Sequence, residues 1–130
     1  MAKHSPDQSL ADALERIERV ESIVQPIGFD AVRIDSTLTD ALLHNLLIAS
    51  EAITRLKDEW PERYAALETA YPDVSRHAFR RFGDVLRHAY GDIDMAIVET
   101  SIEVMVKAVK GAIQQELALS RIVLRPDEDC

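Results

Sequence analysis

The sequence predicts an all-α fold, an antiparallel bundle of four substantial helices and one short one. Three observations carry this. Apolar residues recur every three or four positions through most of the chain, no segment alternates with strand period over a useful length, and proline and glycine fall at helix-length intervals. Loops this short favour antiparallel neighbours. Aromatic residues make up only 5% of the chain, so the core is expected to be aliphatic.

The first helix is expected from Asp7 or Ser9 to Val24, with Leu10, Leu14, Ile17, Val20 and Val24 at helical spacing. Gln25-Pro26-Ile27-Gly28 ends it, because proline lacks a backbone donor and glycine suits the exit. A long second helix runs from about Ser36 to Lys57. Its stripe of Leu38, Leu42, Leu46, Ala49, Ile53 and Leu56 is widened by Ala41, Ile48 and Ala52, which suggests burial on two sides, by the core and by a partner, or else a central helix of the bundle. His44 reads as a packed or interfacial histidine on that helix. Trp60-Pro61 breaks the helix, and Pro61 can open a short one through Ala70. After the turn Tyr71-Pro72-Asp73, another helix begins near Val74 or Ser75 and ends close to Tyr90-Gly91-Asp92. Asp94 is then an N-cap for a final helix reaching about Arg121, with Ile97, Val98, Ile102, Met105, Val109, Ala112, Ile113 and Leu117 on its apolar face.

One domain is expected over residues 9–121, with flexible termini at 1–8 and 122–130. The single cysteine, Cys130, allows no internal disulfide, and neither a signal segment nor a bilayer-length apolar run is present. Those features point to the cytoplasm and away from a membrane. The net charge of -8 argues against a broad basic surface for nucleic acid. Its distribution says more. From Arg76 to Tyr90 four arginines face Asp84 alone, a local +3, which leaves -11 for the remainder. A basic island in an acidic body suits a local anion site.

That island centres on Arg80-Arg81-Phe82-Gly83-Asp84-Val85-Leu86-Arg87-His88-Ala89-Tyr90. Guanidinium groups bind phosphate bidentately, and an imidazole exchanges protons near neutral pH. At about 100° per residue, Arg81 and His88 fall within roughly 20° of each other, some ~10 Å apart along the axis. Arg80 and Arg87 lie about 80° and about 100° from His88. Phe82, Val85, Leu86 and Ala89 are expected to point into the core. Arg81 and His88 are the best pair to share a groove, completed by Arg87 or by a second copy of the motif. The alternative, solvated arginines with a packed or capping histidine, remains open on these residues alone. No metal site or cofactor is indicated: there is no His-x3-His pair, no HExxH, no cysteine ligand set and no Gly-rich phosphate loop.

Three segments together resemble one family. They are Leu38-Thr39-Asp40-Ala41-Leu42-Leu43-His44-Asn45-Leu46-Leu47-Ile48-Ala49-Ser50-Glu51-Ala52, then Tyr71-Pro72-Asp73, then Leu86-Arg87-His88-Ala89-Tyr90-Gly91-Asp92-Ile93-Asp94. Over roughly residues 9–120 the chain resembles the HepT-like group of HEPN-domain proteins. The resemblance implies a HEPN-type homodimer, the toxin of a type VII-like toxin–antitoxin pair and a metal-independent endoribonuclease acting on RNA, tRNA or mRNA. Its Arg/His motifs would face each other across the dimer cleft, and its partner would be a minimal nucleotidyltransferase antitoxin. His88 matches the family histidine. Tyr90 matches the tyrosine that the partner adenylylates.

The arginine departs from the commonest form, Arg-Asn-x-x-x-His-x-Tyr, which would place arginine at Gly83 and asparagine at Asp84. A six-residue spacing makes Arg81 the counterpart. A subgroup reading Gly-Asn-x-Leu-Arg-His-x-Tyr is closer, with Asp84 here in place of asparagine. On this reading His88, Arg81 and Arg87 are the catalytic candidates: His88 acts as general base or acid on the 2'-hydroxyl and the arginines stabilise phosphoryl charge. Arg80 and Tyr90 would bind substrate. The Gly83 and Asp84 departures support a second reading, a non-catalytic nucleotide- or substrate-binding subunit of a minimal nucleotidyltransferase. A helical protein whose dimer is its only function is a third.

Overall fold

A computed structural model describes residues 5–72, 74, 76–88 and 94–124, without the side chains of residues 76–78, 88 and 121–124. Among the described residues every regular element is helical, as the sequence predicts. Helix α1 (Pro6–Val24) starts at a serine cap: the Ser5 hydroxyl accepts from the Gln8 amide at 3.0 Å, with Pro6 as the first helical residue. It buries Leu10, Ala13, Ile17 and Val20. Gly28 then takes φ 84, a conformation glycine adopts without steric cost, and its amide closes on the Val24 carbonyl at 2.7 Å. Helix α2 (Phe29–Arg33) follows and buries Phe29 and Val32. It has no counterpart in the sequence reading, since five residues are too few to show a helical period.

Helix α3 (Ser36–Glu59) is capped by Asp35, whose carboxylate accepts from the Leu38 amide at 3.0 Å. The helix is a central one, with both sides of its stripe covered from within the chain. Leu42, Leu46, Ala49, Ile53 and Leu56 are fully enclosed, and α1 and α5 both pack on this helix. His44, expected to be packed or interfacial, is exposed in this chain, because the buried arc passes through Leu43, Asn45 and Leu46 on either side of it. Helix α4 (Pro61–Ala70) opens on Pro61 as expected and buries Tyr64 and Leu67. Helix α5 (Arg76–His88) carries the basic motif; of the expected start at Val74 or Ser75, Val74 precedes the helix, while Ser75 and the expected end at Tyr90-Gly91-Asp92 lie outside the described residues.

The final rod comprises α6 (Met95–Ser101), a π-helical segment (Ile102–Val106) and α7 (Lys107–Leu124). Asp94 caps it, accepting from the Ala96 amide at 2.9 Å. Val98, Val109, Ala112 and Ile113 are buried as expected, but Ile97 is 58% exposed. Val106, which the regular spacing omits, is buried instead. The wider π turn spends one more residue per hydrogen-bonded loop, which moves the apolar face along the sequence. The tail from Arg125 to Cys130 and residues 1–4 are outside the described residues.

Interhelical polar pairs give direction to the packing. Arg55 donates to Ser9 and Asp12, while Arg16 donates to Asn45, so α1 and α3 run antiparallel. Ser120 pairs with Asp7 and Lys110 with Glu21, so α1 and α7 are antiparallel too.

Candidate active site on the fifth helix

Helix α5 divides into two faces. Phe79, Phe82, Gly83 and Leu86 are buried and turn toward α3, where each large apolar side chain contributes about 1.5–3 kcal/mol on burial. Gly83 sits against Ser50 of α3 so closely that a Cβ placed there would overlap the Ser50 side chain. The missing side chain lets the two helices approach. It also rules out an arginine at this position in the observed packing, so the motif arginine cannot stand where the commoner family spacing puts it.

One sequence expectation is corrected here. Val85 was expected in the core and is 53% exposed. The contact arc closes through Gly83, so the helix leans on its glycine and turns Val85 outward. Ala89, the other residue assigned to that face, lies outside the described residues.

The outer face holds Arg81, Asp84, Val85 and Arg87, all exposed, with Arg80 half-buried. Arg80 is engaged in an interaction. Arg81 differs: among the described residues it has no hydrogen-bond or ion-pair partner, and its guanidinium is open to an anion. The helix is uninterrupted from Arg76 to His88, so positions 81 and 88 keep their seven-residue spacing. His88 is the last described residue of the helix; its side chain, and Tyr90 altogether, lie outside the described residues.

Arg87 is not open in the same way. Its Nη1 donates to Asp84 Oδ1 at 2.7 Å, and its Nη2 reaches Glu51 Oε1 on α3 at 3.5 Å. The three side chains are about half exposed, at 42%, 53% and 46%, and together carry one net negative charge. Sequence reading placed Glu51 in the family-like segment of α3 and gave it no role. Nothing in the linear order connects position 51 to position 87; only the close α3–α5 packing does. Glu51 also borders a cleft of about 250 Å³ between α1 and α3, lined by Asp12, Glu15, Arg16, Ile48 and Arg55.

Chemically, the helix offers one open guanidinium and one neutralised by carboxylates, a handle for a phosphodiester. Among the described residues no group of three or more His, Cys, Asp or Glu side chains is placed to hold a metal ion, and no helix is long and apolar enough to cross a membrane. No curated protein and no solved structure shows significant similarity to the chain. A family model described as "Ribonuclease HepT-like" matches residues 13–116, a span that includes α3, the motif helix and most of the final rod. The chain belongs to the HepT-like ribonuclease family.

Proposed function

We propose that this protein is the toxin of a type VII-like toxin–antitoxin pair, a metal-independent endoribonuclease that cuts tRNA or mRNA in the cytoplasm as a homodimer. The observation that carries the reading is Arg81, exposed and without a partner among the described residues, on the helical face it shares with position 88. His88 acts as general base or acid on the 2'-hydroxyl, and Arg81 stabilises the charge that develops on the phosphoryl oxygens. Arg87 assists once it leaves its carboxylates, and Arg80 and Tyr90 orient the substrate. Removing Arg81 costs on the order of 10²-fold in rate. Positions 81 and 88 are about 10 Å apart along one helix, so a second copy supplies the opposing groups. A minimal nucleotidyltransferase is the antitoxin, and Tyr90 is the residue it adenylylates.

The test is induced expression of the wild type beside His88→Ala, with total RNA from both cultures run on a gel. Growth arrest and RNA cleavage by the wild type alone are expected, and cleavage by the purified chain persists in excess chelator. Harmless expression of both, from a chain unmodified at Tyr90, overturns the reading.

The pairing of Arg87 with Asp84 and Glu51 favours a second reading, a non-catalytic nucleotide- or substrate-binding subunit of a minimal nucleotidyltransferase. There His88→Ala weakens complex formation and leaves RNA untouched in both cultures.

A further inference from the structure

The geometry points to a carboxylate gate on Arg87: Glu51 and Asp84 hold its guanidinium away from the substrate, and an RNA phosphate must displace them to engage it. The inference rests on the nuclease reading and adds two residues to its site. Arg87 carries five N–H donors, and each of its terminal nitrogens is turned to a different carboxylate, Nη1 to Asp84 and Nη2 to Glu51. A bidentate grip on phosphate needs two donors on one edge of the guanidinium, and every such edge includes at least one terminal nitrogen already turned to a carboxylate while the gate is closed. The two acids also place charge of the substrate's own sign around the cation.

The gate is built to open. All three side chains are about half exposed, at 42%, 53% and 46%, and ion pairs in that setting hold weakly. Glu51 sits on α3 and Asp84 one turn before Arg87 on α5, so the close α3–α5 contact brings the second acid into reach. Once released, Glu51 keeps polar surroundings, because it already borders the cleft that contains Arg16 and Arg55. Arg81 is the standing phosphate contact and Arg87 the conditional one. A substrate that engages only Arg81 leaves the gate shut.

The experiment measures binding of a fully 2'-O-methylated single-stranded RNA oligonucleotide, which has no nucleophilic hydroxyl to be cut, by fluorescence anisotropy with the full chain. Asp84→Asn and Glu51→Gln each keep the side-chain shape and remove one charge. Each is expected to tighten binding roughly threefold to tenfold, with the larger part of that gain lost in an Arg87→Ala background. Equal gains with and without Arg87 overturn the gate, since they report only the removal of negative charge; so does an unchanged or weakened affinity. Thermal melts of the same variants check that the fold is intact. Cleavage of unmodified RNA by the wild type beside His88→Ala reports separately on the nuclease reading. A wild type that cleaves while the gains are equal overturns the gate alone.

Discussion

Ser50 is 1% exposed, and its hydroxyl has no hydrogen-bond partner among the described residues. A buried hydroxyl left so costs about 1–3 kcal/mol, and the tight contact with Gly83 explains a small residue at this position but not the hydroxyl. Ser50→Ala is therefore expected to leave stability unchanged or raise it by about 1 kcal/mol in urea denaturation. Gly83→Ala overpacks the contact and is expected to cost about 1–3 kcal/mol despite its better helix propensity. In a Ser50→Gly background the same change should cost clearly less; an undiminished cost would place the strain elsewhere. From the sequence, Gly83 is legible only as a missing arginine. Its packing role depends on a neighbour 33 positions away, which no local pattern encodes.

At the scale of elements, the helices were legible where periodicity had length to express itself. The stripe on α3 ran long enough to show burial on two sides, and Asp94 capped the final rod where expected. Two errors share one cause. Val85 and Ile97 both sit at the margin of an apolar arc, where a small rotation decides between core and solvent. On α5 the rotation comes from Gly83, and on the final rod the arc is shifted by the π segment. Val85 carries a further expectation. It lies between Arg81 and position 88 on the outer face, so the proposed dimer covers it. Val85→Glu should shift the protein toward monomer in analytical ultracentrifugation and cut RNA cleavage by roughly tenfold or more, with little change in melting temperature. A variant that stays dimeric and fully active would remove this face from the interface.

For the whole molecule, polar ties join segments far apart in sequence. Arg63 on α4 reaches Asp7 at 3.2 Å and Glu116 at 3.5 Å, the Tyr71 hydroxyl donates to Glu116 at 2.9 Å, and Ser120 donates to Asp7 at 3.2 Å. Arg63 is 27% exposed and its two acids 29% and 17%, so the cluster is partly shielded from water. Arg63→Ala leaves two neighbouring carboxylates without their shared cation and is expected to cost about 1–3 kcal/mol, read as a lowered urea midpoint. An unchanged midpoint would show the cluster to be solvated in effect. None of this network was legible in the sequence, where its five residues look like ordinary surface positions. The candidate site divides the same way: the basic motif and its helix could be read directly, whereas the partnering of Arg87 by α3 required the tertiary packing.

The Gly83–Ser50 contact also bears on how motifs of this kind can be moved between relatives. Grafting the commoner arginine onto this chain by Gly83→Arg would not transplant a phosphate ligand; it would wedge α5 away from α3 and separate Arg87 from Glu51 along with it. A working graft would have to rebuild the α3 surface at Ser50 first. Spacing along one helix is thus an unsafe guide to equivalence here, and the helix it packs against decides which positions are available to chemistry.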